Sequence, residues 1–266
     1  MPIEKSESGK RKATGVSREV VIFLNRLILG FSKSWAAWIA GFMLLYSGLP
    51  FMAPIAMHFG WTPVADTIYT VYGPLCHQFA FRSWFLFGDE LTYPRELAHL
   101  SGPTFESFAS QDPSFSGIDV TTLNPALIQA AKNFRGNERM GWKVAFCERD
   151  VAIYGSIALC ALLFIFVSRS KVKVPYLPLW AYVAFGILPM LADGGSQYLG
   201  NLQAIGLDFG VARESSPLLR VLTGTLFGIA NSWLAFPYLE VSMKETRELI
   251  EAKLVKAGIL NPPTSI

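Results

Sequence analysis

"VAIYGSIALCALLFIFV", residues 151–167, contains no charged side chain. An α-helix rises 1.5 Å per residue, and about 20 apolar residues cross a hydrocarbon core about 30 Å thick. With Asp150 before it and Ser168 after it, the stretch reads as a membrane-spanning helix rather than the core of a soluble domain. The rest of the chain agrees: of 266 residues 52% are hydrophobic and only 16% charged, and the mean hydropathy is +0.35.

Working outward, similar apolar runs lie at roughly 35–58, 176–193 and 218–239, which with 150–168 makes four. The expected fold is an all-α polytopic membrane protein with about four transmembrane helices. An even number of spans puts both termini on one side, together with residues 1–34, the 169–175 loop and the tail from 240. That side carries 14 of the 23 basic residues but only 7 of the 20 acidic ones. The positive-inside rule therefore places both termini in the cytoplasm of a multi-pass protein of the cell membrane.

Three regions follow. Residues 1–34 form a basic leader and an amphipathic helix at 18–33, flanked by Arg and Lys and too short to span, which is expected to lie in the inner interface. The leader has no apolar core or small-residue cleavage site, so it does not read as a signal peptide. Residues 35–240 hold the spans, with an extracytoplasmic insertion at about 89–141, rich in Pro and Gly. Its one local element is a short helix at 124–134, with Asn124 as cap and Pro125 at the first position. Residues 241–266 spread Leu249, Ile250, Leu254 and Val255 at helical period, and read as a plain surface helix with no partner. The lipid bilayer is the expected partner, with a membrane complex or a second copy of the chain beyond it. No repeat, nucleotide-binding glycine loop or nucleic-acid patch is present.

This topology collects the polar motifs on the outer side. They are "YGPLCHQFAFRSWFLFG" (72–88), "FCERD" (146–150), "LADGGSQYLG" (191–200) and "ARESSPLLR" (212–220), each at the mouth of a span. The first reads as an aromatic-rich interfacial or re-entrant segment, anchored by Trp84, Phe85 and Phe87, with its polar groups turned inward. Together the four make one candidate outer pocket of Cys76, His77, Gln78, Arg82, Cys147, Asp150, Asp193, Gln197, Arg213, Glu214 and Arg220.

These ordered motifs resemble a family of small bacterial and archaeal membrane proteins known only as a domain of unknown function, with Cys-His-Gln as its signature. The resemblance covers roughly residues 70–240, less the insertion. It implies a fold and an outer site, and no activity. Where that family's pattern reads Cys-x-Arg-Cys, this chain has Cys147-Glu148-Arg149-Asp150, so Asp150 stands in for a second cysteine.

Thiolate, imidazole and carboxylate donors at Cys76, His77, Cys147 and Asp150 suit zinc or another transition metal. A Cys76–Cys147 disulfide is the competing reading, since both cysteines fall on the oxidising side. Cys160 lies mid-span and reads as packing. Asp193 at a span end needs a partner, with Arg213 and Arg220 the candidates and His77 and Arg82 as neighbours. Ser215 or Ser216 with Pro217 marks a helix N-terminus flanked by arginines. It is a receptor for an anion, which Asp193 or Glu214 could itself supply. A binding or scaffold role holding a metal, anion or lipid headgroup is the leading expectation. The alternatives are a membrane enzyme using Cys76 or His77 with Asp193, and a transporter component.

Overall fold

The structure is a computed structural model, and it describes residues 15–170, 174–202, 206, 207 and 213–261. Residues 1–14, where the basic leader is expected, lie outside the described residues. The chain divides into two compact units, residues 1–38 with 238–266, and residues 39–237. Among the described residues three helices are long and apolar enough to cross a membrane, within Ser17–His58, Glu148–Ser168 and Pro217–Lys256.

In the first unit the expected interfacial helix is the opening part of α1 (Val16–His58), which bends at Ser34, where φ is −128° and ψ 21°. The Ser34 hydroxyl donates to the Gly30 carbonyl at 2.9 Å, and such back-bonding accompanies helix bends. Against this part lies the end of α9 (Pro217–Lys256). Ile250 and Leu254 bury with Leu29, Lys33 pairs with Glu251 at 2.8 Å, and Trp35 Nε1 donates to Glu240 at 2.8 Å. The tail helix is thus not partnerless, because its apolar stripe finds that of α1. Leu249, counted with that stripe in the sequence, stays exposed.

The second unit is organised by α5 (Glu148–Arg169) and the first part of α9. The span expected at 176–193 is helical but not one regular helix. It comprises α6 (Leu179–Ala181), a π-turn over Tyr182–Ile187, α7 (Leu188–Met190), a second π-turn over Leu191–Gly195 and α8 (Ser196–Asn201). Pro189 supplies no N–H and its ring crowds the carbonyl four residues back, so the preceding turn widens. Gly186 lets this segment approach α9 closely: a Cβ there would sit 2.8 Å from that of Ala230.

The all-α expectation needs one correction. After α2 (Thr62–Tyr72), the 72–88 stretch becomes a turn, a short 3-10 helix and strand β1 (Ser83–Leu86). With β2 (Gly136–Asn137) and β3 (Gly141–Cys147) it forms an antiparallel sheet of order β1-β3-β2, with Ser83 opposite Cys147 and Phe85 opposite Lys143. Its aromatic residues are therefore partly strand and cap core, not all headgroup anchors. Phe85 is buried, Trp84 half-buried and Phe87 exposed.

The insertion folds over this sheet with a core of its own, in which Phe85, Tyr93, Phe105, Phe115 and Phe134 cluster. It contains α3 (Phe105–Ala109) and the expected α4 (Pro125–Asn133), where the Asn124 side chain accepts from Leu127 N–H at 2.9 Å. Arg95 and Glu106 pair inside it at 2.9 Å. Lys143 ties cap to sheet: its buried Nζ donates to the carbonyls of Gln78, Ala131 and Lys132 at 2.6, 3.2 and 2.8 Å. Burial is the main pull that lowers this ammonium to about 7; Cys76 opposes it, and Arg135 and Lys132 add to it. The three carbonyls are what make a charge tolerable there.

Candidate functional site

β3 delivers Cys147 to the start of α5, where it is the N-cap. Its Sγ accepts from Asp150 N–H at 3.5 Å, while its own N–H donates to Cys76 Sγ at 3.2 Å. Cys76 is held just beyond α2, its N–H bonded to the Tyr72 carbonyl at 3.0 Å. Both sulfurs therefore sit at the positive end of a helix. The ligand atoms of Cys76, Cys147 and Asp150 all lie within 4.8 Å of one another. Both cysteines are free thiols. A hydrogen bond with Cys76, and then burial, push the Cys147 thiol well above its ordinary value.

His77 does not join this group. It is exposed and tilts against Phe79 with ring centroids 5.3 Å apart, because adjacent residues of an irregular segment diverge. Gln78 follows with φ 53°, a left-handed conformation secured by its side-chain amide, which donates to the Tyr69 carbonyl at 3.0 Å. Cys160 is half-buried within α5, away from the thiol pair in sequence, and lines an apolar cavity with Phe164 and Trp233.

Beside the thiols lies a linked set of ion pairs. Arg82 grips Glu214 with two bonds of 2.8 Å and donates to Asn201 Oδ1 at 3.0 Å. Arg220 reaches Glu148 at 2.8 Å and also Glu214, which further accepts from Gln197. Burial would raise the Glu214 carboxyl, but Arg82, Arg220 and Arg95 outweigh it and hold the group below the usual glutamate range. Asp193, in the second π-turn, accepts from Arg149, from Arg213 at 3.0 Å and from the Ser215 hydroxyl at 2.7 and 2.9 Å. Arg213 also donates to Ser196 Oγ. Ser216, rather than Ser215, caps α9, accepting from Leu219 N–H at 3.2 Å.

Residues 133–234 match the family model of DUF2085, described as a predicted membrane protein. Neither the curated proteins nor the solved structures give a match. The DUF2085 match takes in Cys147, Asp150, Asp193, Gln197 and the 213–220 motif, and begins after Cys76 and Arg82. It is shorter than the 70–240 resemblance read from the motifs.

Of the expected partners of Asp193, Arg213 is one, whereas Arg220 and Arg82 turn to Glu214. Arg149 is the partner the sequence reading missed, and Glu148 is the missed partner of Arg220. A signal existed for both: charges in the first turn of a spanning helix are costly unless paired. The anion at the arginine-flanked start of α9 is supplied from within the chain, by Asp193 and Glu214.

Proposed function

We propose that this membrane protein binds a thiophilic divalent metal ion, zinc first among them, through Cys76, Cys147 and Asp150 at the outer mouth of α5. The convergence of the three donor atoms within 4.8 Å carries the reading. Zinc bonds sulfur at about 2.3 Å and carboxylate oxygen at about 2.0–2.2 Å, so tetrahedral ligands stand about 3.7 Å apart. Small side-chain rotations close that difference. The backbone N–H groups that already point at the two sulfurs orient them toward a common point, and a bound cation would supply the charge that makes the Cys147 thiolate favourable. Among the described residues Asp150 is in no ion pair, which leaves its carboxylate available as a ligand. The register also puts the Ser83 hydroxyl, buried without a hydrogen-bond partner, across from Cys147 on the same sheet face.

In this reading 176–193 is a fourth crossing, both termini are cytoplasmic and the 89–141 insertion is an extracytoplasmic cap, as the charge distribution favours. The arginine–carboxylate pairs serve as the clamp that holds the span ends around the metal ligands. A binding role accounts for the site better than catalysis, because each of these arginines is already engaged by a carboxylate of the chain.

Elemental analysis of the detergent-purified protein, beside non-reducing mass spectrometry of its thiols, tests this. One zinc per chain with Cys76 and Cys147 reduced is expected, and its loss in Cys147→Ala. A metal-free protein with a Cys76–Cys147 bridge would sink the reading and make those cysteines a staple.

A further inference from the structure

Arg213 lines two cavities of different character. One is a chamber of about 140 Å³ with mixed walls, polar at Arg95, Thr121, Thr122, Asn201 and Glu214 and apolar at Leu97 and Leu123. The other is a groove of about 420 Å³ along α9, walled by Pro189, Leu219, Leu222 and Leu226 and ending at Asp193 and Arg213. A compartment with polar walls on part of its lining and a mainly apolar one, meeting at Arg213, match the two ends of an anionic amphiphile. We propose that they hold one anionic glycerophospholipid, its phosphate on Arg213, its headgroup in the chamber and an acyl chain along Leu219, Leu222 and Leu226.

Charge supports this occupant. Among the described residues Arg82 and Arg220 pair with Glu214 and Glu148, two charges against two, whereas Arg149 and Arg213 share the single carboxylate of Asp193, so this second set of ion pairs holds one cation more than its carboxylate. The excess can be reached only where a ligand can arrive. The Arg213 side chain is 38% exposed, against 1% for Arg220, 9% for Arg82 and 17% for Arg149. Arg213 has five N–H donors. Among the described residues its bonds to Ser196, to the Asp193 carbonyl and to the Asp193 carboxylate occupy three of them, which leaves donors for a phosphate. The groove wall belongs to a helix long and apolar enough to span, and Leu222 is 51% exposed on it, so the molecules that meet this groove are lipids.

The site is separate from the thiol group and is tested without metal. The purified full chain, stripped with detergent, is titrated with phosphatidylglycerol and with phosphatidylcholine and read by native mass spectrometry. One phosphatidylglycerol should bind at least about tenfold more tightly than phosphatidylcholine, the scale of one charge-assisted contact. Leu222→Trp fills the groove without touching an ion pair, and Arg213→Gln removes the cation. Each should lower phosphatidylglycerol binding by a similar factor. Equal binding of the two lipids overturns the proposal, as does unchanged phosphatidylglycerol binding in both variants. So does retention from native membranes of a polyprenyl phosphate in place of a glycerophospholipid.

Discussion

Arg220 of α9 and Glu148 in the first turn of α5 meet at 2.8 Å, and each side chain is only 1% exposed. Removing one member leaves the other buried and unanswered, a loss of about 3–5 kcal/mol for a buried pair. Arg220→Met should therefore lower the thermal midpoint of the detergent-solubilised protein sharply, since it also strips Glu214 of a partner. The double variant Arg220→Met/Glu148→Met should recover part of that loss. Equal midpoints for parent and single variant would show that the pair contributes nothing.

Glu214 gives a pH dependence with a definite sign. Its carboxyl is held below the ordinary glutamate value in the folded chain, so the folded state binds fewer protons than the unfolded one in the acid range. The stabilisation is complete above the ordinary value near 4.5 and is lost as pH falls through the folded value. The denaturation midpoint of the parent, followed between pH 3 and pH 7, about the range where carboxylates titrate, should fall more steeply on the acid side than that of Glu214→Gln. Parallel curves would contradict this.

Asp150 stands where the resembling family has a second cysteine. Asp150→Cys should raise zinc affinity at least about tenfold, because thiolate is the softer donor and zinc prefers it. Competition against a chromophoric chelator measures it. An unchanged affinity would place Asp150 outside the ligand set.

Lys143→Met should loosen the cap. It removes the donor shared by the Gln78, Ala131 and Lys132 carbonyls while keeping the apolar stem. Buried acceptors left without a donor cost about 1–3 kcal/mol each. Limited proteolysis should then cut within residues 89–141 faster than in the parent, and an unaltered cleavage rate would argue against the tie.

Three of the four expected apolar spans were legible because length and composition alone identify a segment such as 151–167, and α4 because Asn124-Pro125 is local capping chemistry. The sheet was hidden: β1 has four residues, and its Ser83 pairs with Cys147, far along the chain. No periodicity in a window of that size reports such a partner. Within the site, residue types suggested Cys76, Cys147 and Asp150, but His77 turns away within an irregular segment that also holds a left-handed backbone at Gln78, a conformation glutamine rarely adopts and no local pattern announces. Arg149 was given no role in the sequence because its carboxylate, Asp193, lies 44 residues away.

β3 ends at Cys147 and α5 begins at Glu148 with no linker residue between them. Cys147 is thus the last rung of the ladder and the first cap of the helix at once, so one side chain answers to two architectures, and a substitution chosen to probe either one reads out on both.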